Sequence, residues 1–176
     1  MLENRETVTV SGIEYAKGTI HNREVVLAVC GIGKVFAAVC AQTMILKFAP
    51  DVIINTGVAG TLTESLTIGD IAVSENVAQH DMDTTALGDP AGFLSGINII
   101  KIPADRKTRL LLVDCIKQLG VNYRTGTICS GDQFLASQEV KSRIVKNFDA
   151  IAGETEGGAI GQVCFINNVK FCVLRA

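Results

Sequence analysis

The sequence lacks several features that would assign it to a class of protein. Its 176 residues contain no tryptophan, two tyrosines, three prolines and two histidines. Uncharged stretches such as Val35–Leu46 reach about twelve residues, whereas a membrane-spanning helix needs roughly twenty. Lysine and arginine total 16 against 18 aspartates and glutamates, so no basic excess favours nucleic acid or a membrane surface. We therefore expect a small, nearly neutral partner, with no nucleic acid and no membrane.

The six cysteines do not indicate disulfides or a metal site. No two of them form a CxxC pair, they lie in apolar runs, and the charged first residues include no apolar signal region. This pattern predicts reduced core thiols in a cytoplasmic protein. His21 and His80 lie far apart in the sequence, and we expect His80–Asp83 to be a solvated loop. The sequence therefore predicts no metal site.

The chain is 48% apolar and 19% charged, so it can bury a hydrophobic core. Its length fits one domain. Alternation at Thr7–Val10 and Ile13–Tyr15 predicts strands, and the continuous apolar run Val25–Cys30 predicts a strand covered on both faces. Helices are predicted over Val35–Phe48, Lys107–Leu119, Gln138–Phe148 and Gly157–Asn168, and strands over Val52–Ile54, Ile68–Ser74, Thr125–Cys129 and Phe171–Leu174. This alternation indicates a layered α/β fold with its ligand site past the strand ends.

The last predicted strand, Phe171–Leu174, is followed by only two residues. A buried parallel strand normally leads into a helix that covers the sheet. We therefore expect residues 1–176 to form a single domain that is incomplete at both ends.

Two glycine-containing segments follow predicted strands. Gly31–Lys34 stands between a strand and a helix, where it favours either a close ligand approach or a tight turn. It lacks the third glycine of a dinucleotide-binding fingerprint. Asn55–Gly60 follows Val52–Ile54, and its small residues would let a ligand lie against the main chain, although an ordinary loop remains the alternative.

An aromatic side chain follows another strand. Phe134 lies in Ser130–Leu135, directly after Thr125–Cys129, in a chain with only seven phenylalanines. An aromatic ring at this place either stacks on a purine or anchors its loop to the core.

The strongest signal is the pair Glu154 and Glu156 within Gly153–Gly158. A carboxylate there can accept O–H bonds from a ribose diol, and the glycines after Glu156 leave room for a sugar. The alternative is that both glutamates only compensate the dipole of the following helix.

Six segments, taken in order, resemble the bacterial 5′-methylthioadenosine/S-adenosylhomocysteine nucleosidases of the purine nucleoside phosphorylase-like superfamily. They are Gly31–Val35, Asn55–Gly60, Gly69–Ile71, His80–Asp83, Ser130–Phe134 and Glu154–Gly157. The resemblance runs from about Glu3 to Ala176. It implies a three-layer α/β/α fold with a central mixed sheet, and a cytoplasmic homodimer that hydrolyses the bond between adenine and a 5′-thioribose without a cofactor.

The resemblance also implies roles for individual residues. Phe134 would stack on adenine and the Leu135 backbone would bond the base edge, while Glu156 would hold the ribose hydroxyls. Arg175 would position the attacking water. Further substrate-binding residues would be Thr155 beside Glu156, Gly60 and Val58 near the sugar, and Ile32 at the 5′-thio group.

Two features of that family have no match in the sequence. Its water-activating glutamate follows a first strand, and its adenine-protonating aspartate precedes a C-terminal helix; we expect both, with that strand and helix, to be missing. This chain is then expected to have little or no activity. Two alternatives remain: a nucleoside phosphorylase of the same superfamily, and a non-catalytic nucleoside-binding remnant. Phosphate would need two or three cationic or N–H donors, and only Arg175 is a clear cationic candidate.

Overall fold

A computed structural model describes residues 1–176, which form four helices and ten strands. The helices are α1 Lys34–Phe48, α2 Arg106–Gln118, α3 Gln138–Phe148 and α4 Gly157–Ile166. The strands are β1 Glu3–Val10, β2 Ile13–Ile20, β3 Arg23–Ala28, β4 Val52–Gly57, β5 Gly60–Thr61, β6 Ile71–Gln79, β7 Ile102–Pro103, β8 Tyr123–Ser130, β9 Ala150–Glu154 and β10 Lys170–Arg175. None of the helices is long and apolar enough to span a membrane.

The main sheet is mixed and has seven strands in the order β4-β10-β6-β8-β9-β5, with β7 paired to β6. Strand β10 runs parallel to β4 and antiparallel to β6, whereas β6, β8 and β9 are mutually parallel. Only Val58 and Ala59 separate β4 from β5, yet β5 pairs with β9 at the opposite end of the strand order. The sheet is therefore curled, so that its two ends meet.

Helices cover both faces of this sheet, which confirms the predicted three-layer α/β/α fold. The largest core cluster joins α1 and α4 to one face and includes Ala41, Ile160 and Val173. On the other face, Val113 of α2 packs with Cys172, and Phe148 of α3 packs with Cys129. Neighbouring residues of β10 enter different clusters because side chains alternate across a strand.

A separate three-stranded antiparallel sheet contains β1, β2 and β3. The prediction that Val25–Cys30 is covered on both faces is wrong, because Leu27 and Val29 are exposed and β3 pairs only with β2. Strand β4 likewise pairs only with β10, and Ile54 on it is exposed. Two strand edges, those of β3 and β4, therefore carry unpaired backbone groups.

Most predicted elements are present, with shifted ends. Strand β6 begins at Ile71 rather than Ile68, which is fully exposed in a turn. On α2, Val113 and Ile116 are buried, whereas Leu110 is exposed although it lies three residues before Val113. All six cysteines are free thiols, and four are buried. Cys115 is the exception to the core prediction, because it is exposed on α2.

Candidate functional site

One large cavity is lined by every residue that the sequence analysis placed in the site. Its volume is about 1910 Å³. The lining includes Ile32, Val58, Gly60, Phe134, Leu135, Thr155, Glu156 and Arg175. This volume is larger than the 300–1,000 Å³ of ordinary small-molecule sites because the cavity continues along β3 and β4.

The curl of the sheet brings these residues together. Strands β4 and β10 run opposite to β8 and β9, so their carboxyl ends would lie at different edges of a flat sheet. Instead Gly60 pairs with Gly153, next to the end of β9. The amide of Ala59 donates to the carbonyl of Ala176, 3.1 Å away, which holds the β4–β5 link against the end of β10.

Arg175 is a buried cation at the centre of the site. Its Nη2 donates to Oε2 of Glu154 in a close ion pair, and to Oδ1 of Asn55 at 2.5 Å. Oε2 of Glu156 is 3.4 Å from the same nitrogen. Gly57 lies so close that a Cβ there would overlap Nη1 of Arg175. Gly57 therefore makes room for the guanidinium group of Arg175, a role that the sequence analysis did not assign to this segment.

Glu154 uses all of its hydrogen-bonding capacity inside the protein. Its carboxylate accepts bonds from the Ser130 hydroxyl, the Arg175 guanidinium and the amides of Glu156 and Gly157. The Glu156 amide nitrogen is 2.9 Å from Oε2 of Glu154. The side chain of Glu154 is only 2% exposed. A carboxylate with about four lone-pair positions has none left for a ligand after these contacts.

Glu156 is held less completely. Its Oε1 accepts the Gly33 amide at 2.8 Å and the Thr155 hydroxyl, whereas Oε2 has only Arg175 at 3.4 Å. The side chain is 11% exposed and lines the cavity. Oε2 is therefore the carboxylate oxygen in this cluster that is available to an incoming hydroxyl group.

Phe134 presents its ring to the cavity, where it is 95% exposed. It therefore does not anchor the loop to the core, which was the alternative to base stacking. Leu135 performs that anchoring instead, because it packs on the α3 cluster. A Cβ on Gly153 would overlap the Leu135 side chain, so the glycine in β9 is needed for this packing.

The remaining predicted residues lie around these groups. Ile32 and Val58 are more than four-fifths exposed on loops that border the cavity. Gly60 has open space on its Cβ side, with Gly153 O as the nearest atom at 3.9 Å. Thr155 donates its hydroxyl to Glu156 and so orients that carboxylate.

Sequence reasoning missed the part that Glu154 plays. The resemblance assigns the ribose hydroxyls to Glu156 and gives Glu154 no role, whereas in the structure Glu154 is the buried counterion of Arg175. Ser130 and Asn55, which bond Glu154 and Arg175, were not singled out either. The available signal was a polar residue directly after each of the predicted strands Val52–Ile54 and Thr125–Cys129.

The titratable groups nearby show no nucleophile or metal centre. Burial raises the pKa of the Cys30 thiol, which lines the cavity, so it stays protonated at neutral pH. Burial lowers the pKa of His80, against the opposing effect of Asp81. No group of three or more His, Cys, Asp or Glu side chains is arranged to hold a metal ion.

A mixed α/β sheet with a large, mainly apolar cavity beside several strand ends is an architecture that binds small molecules in a cleft. The family model described as the phosphorylase superfamily matches residues 1–176. The chain belongs to this superfamily.

Solved structures give the same result. The 5′-methylthioadenosine/S-adenosylhomocysteine nucleosidase of Campylobacter jejuni is 36% identical, with a TM-score of 0.93 over 98% of this chain and 75% of that one. The corresponding protein of Helicobacter pylori is 34% identical, with a TM-score of 0.94 over 99% and 78%. A futalosine hydrolase mutant from the same organism is also 34% identical, with a TM-score of 0.94 over 99% and 79%. The relatives are thus nucleosidases.

Proposed function

We propose that this protein acts on 5′-methylthioadenosine and S-adenosylhomocysteine, hydrolysing the N-glycosidic bond to release adenine and a 5′-thioribose. The observation that carries the proposal is that the exposed Phe134 ring and the available Glu156 carboxylate line the same cavity. A Helicobacter pylori relative has been solved with 5′-methylthioadenosine in its active site. That protein is 34% identical to this chain.

Each part of the nucleoside is assigned to one part of the cavity. Adenine stacks on Phe134, with its edge bonded by the Leu135 backbone. The ribose lies beside Gly60 and Val58, and its hydroxyls donate to Oε2 of Glu156, which Thr155 orients. Ile32 covers the 5′-thio group. The exposure of Ile32 and Val58 supports this assignment, because both apolar side chains are available to an apolar substituent.

The proposed reaction breaks the glycosidic bond through a ribose that carries developing positive charge. Glu156, next to the ribose, stabilises this charge. Arg175 positions the attacking water, and its place among the residues that line the cavity supports this role.

Proton transfer is the step this chain supports least. Glu154 is saturated by internal bonds, and Asp132 accepts the Lys34 amide at 2.8 Å. Glu156 is assigned to the ribose. General acid and general base catalysis each contribute about 10²–10⁴-fold, so a site without a free group for either binds its nucleoside with little turnover. We therefore propose that the chain binds substrate well and by itself hydrolyses it slowly.

Residues 1–176 are proposed to form one domain whose sheet lacks a strand. The free edges of β3 and β4 support this, since both border the same cavity. Amide hydrogen exchange should be fast along both edges, and protection of both would contradict the proposal.

A cytoplasmic homodimer is also proposed. The exposed Val35, Phe36 and Val39 on α1 support the dimer, because they form an apolar face of one helix. Six free cysteines support a reducing compartment. Sedimentation analysis of the wild type and Phe36→Lys tests the dimer; a monomeric wild type contradicts it.

Adenine release from 5′-methylthioadenosine, measured with and without phosphate, tests the reaction. Hydrolysis independent of phosphate is expected, whereas a requirement for phosphate would identify a phosphorylase. Futalosine belongs in the same assay, because a relative is a futalosine hydrolase. Calorimetric titration with 5′-methylthioadenosine measures binding separately. Binding with no release at any enzyme concentration would identify a non-catalytic nucleoside-binding protein.

A further inference from the structure

Three loops meet at the start of α1, and three residues join them in a closed ring. The Lys34 amide donates to Oδ1 of Asp132 at 2.8 Å, and the Asp132 amide donates to Oδ2 of Asp81 at 2.9 Å. The ammonium group of Lys34 closes the ring on Oδ1 of Asp81 at 2.7 Å. The three residues are remote in sequence, so the ring fixes three segments relative to one another.

The ring is partly removed from solvent and balanced in charge. The side chains of Lys34 and Asp81 are 21% and 15% exposed. The Asp81 carboxylate pairs with the Lys34 ammonium group, whereas the Asp132 carboxylate accepts a backbone amide at the positive end of the α1 dipole. The Lys34 ammonium group also donates to Oε1 of Gln79 at 3.3 Å, and Gln79 donates to Gln162 of α4 at 2.6 Å. The ring is therefore attached to a buried helix.

Both halves of the proposed nucleoside site are connected to this ring. Asp132 lies two residues before Phe134, and Lys34 directly follows Gly33, whose amide bonds Glu156 at 2.8 Å. Gly33 has φ of 95°, and a Cβ there would lie 3.0 Å from Oδ1 of Asp132. A larger residue at position 33 would be strained and would push against the ring.

The aromatic side chain of Phe134 is 95% exposed and belongs to no core cluster, so its position depends on how the loop backbone is held. Leu135 anchors the far side of the loop. On the near side, the Gly131 amide donates to the carbonyl of Glu154 at 3.2 Å, and Asp132 is the anchor nearest to Phe134. Loss of the Asp132 anchor lets Phe134 move relative to Glu156. A ligand that engages both residues must then fix their spacing on binding, which weakens its affinity.

We propose that Lys34, Asp81 and Asp132 are positioning residues that set the spacing between the base platform at Phe134 and the ribose carboxylate of Glu156. They act through the spacing of Phe134 and Glu156, and of the three only Asp132 lines the cavity. The inference depends on the proposed function, because it assigns the ring to a nucleoside that spans both groups. Spacing matters only for a ligand that engages both ends, so adenine alone should be nearly insensitive to the ring.

Calorimetric titration of the 176-residue chain with 5′-methylthioadenosine and with adenine tests the inference. Asp132→Ala and Lys34→Met should each weaken 5′-methylthioadenosine at least about tenfold. Adenine affinity should fall less than about threefold, since one end alone needs no spacing. Lys34→Arg keeps the ion pair and should restore the affinity. Lys117→Met is the matched control, because Lys117 pairs with Asp114 on the exposed surface of α2.

A second readout does not depend on ligand. Asp81→Ala removes the acceptor of the Asp132 amide, so hydrogen exchange at that amide should become at least about tenfold faster. This variant retains Lys34 and Asp132, and its folding can be checked by urea unfolding.

The outcomes separate the two proposals. If the wild type binds 5′-methylthioadenosine and the ring variants bind it equally well, or lose adenine affinity to the same extent, the positioning role is overturned. If the wild type binds neither ligand, the proposed function fails, and the positioning role fails with it.

Discussion

Replacing each glutamate of the site in turn should separate protein stability from ligand binding. Glu154→Gln removes the charge that pairs with Arg175, whose side chain is only 5% exposed. Loss of one partner of a buried ion pair costs about 3–5 kcal/mol, against a total stability of about 5–15 kcal/mol. We expect the lower end of the range, because glutamine keeps an oxygen for the Gly157 amide. With a urea dependence of about 2 kcal/mol per molar, the unfolding midpoint should fall by about 1.5 M.

Glu156→Gln should weaken ligand binding with little effect on protein stability. Oε2 of Glu156 makes only the 3.4 Å contact with Arg175, and Arg175 keeps its closer partner Glu154, so stability should change by about 1 kcal/mol or less. The ribose hydroxyls lose an ionised acceptor, which is worth about 1.5–3 kcal/mol for each charge-assisted bond. Affinity for 5′-methylthioadenosine should therefore fall at least about tenfold, and any hydrolysis should slow by a similar factor.

A ligand without the diol makes the second expectation specific. Titration with the 2′,3′-dideoxy analogue should give the same affinity for the wild type and Glu156→Gln. Glu64→Gln, on an exposed loop, is the control for loss of a charge. The reasoning is refuted if Glu156→Gln weakens both ligands equally, or if Glu154→Gln unfolds at the wild-type urea concentration.

Three further predictions follow from the geometry. Phe134→Ala should leave the urea midpoint unchanged, because the ring is 95% exposed, and should weaken adenine binding by about 1–3 kcal/mol in titration; unchanged affinity would remove the stacking role. Gly57→Ala should destabilise the protein more than Gly60→Ala in urea unfolding, since a Cβ at position 57 overlaps Arg175 and one at position 60 meets only Gly153 O at 3.9 Å; equal midpoints would contradict this. Burial lowers the pKa of His80, so the unfolded chain takes up the proton first below about pH 6.5, and the free energy of unfolding should decline from pH 7 to pH 5. His80→Gln should flatten that decline and His21→Asn, at an exposed turn, should not; an equal slope in all three proteins would rule out His80 as the cause.

The elements that could be predicted from the sequence were those with an unambiguous period or break. The helix Gln138–Phe148 is confirmed at both ends, because Ile144 and Phe148 recur at helical spacing on a buried face. The predicted helix Val35–Phe48 begins one residue earlier in the structure. In contrast, Val25–Cys30 has the composition of a buried strand, but burial depends on partners that a local pattern does not specify.

The site was predictable to the extent that it depends on residue type. Phe134, Glu156 and Arg175 line one cavity, as the order of their motifs implied. The role of Glu154 was not predictable, because it depends on which carboxylate meets Arg175 most closely after the sheet curls. The closed ring of Lys34, Asp81 and Asp132 was not predictable either, because its members are separated by long stretches of sequence and meet only in the folded chain.

The unpaired edges of β3 and β4 have a consequence for handling the protein. These edges offer unpaired hydrogen-bonding groups to the same edges of other molecules. Exposed apolar side chains accompany them, namely Leu27 on β3, Ile54 on β4 and Val29 directly after β3. At high concentration, such molecules should add to one another strand by strand and polymerise. Purification at low protein concentration should therefore limit polymerisation. Val29→Lys should slow the growth of polymers, because the added charges repel one another.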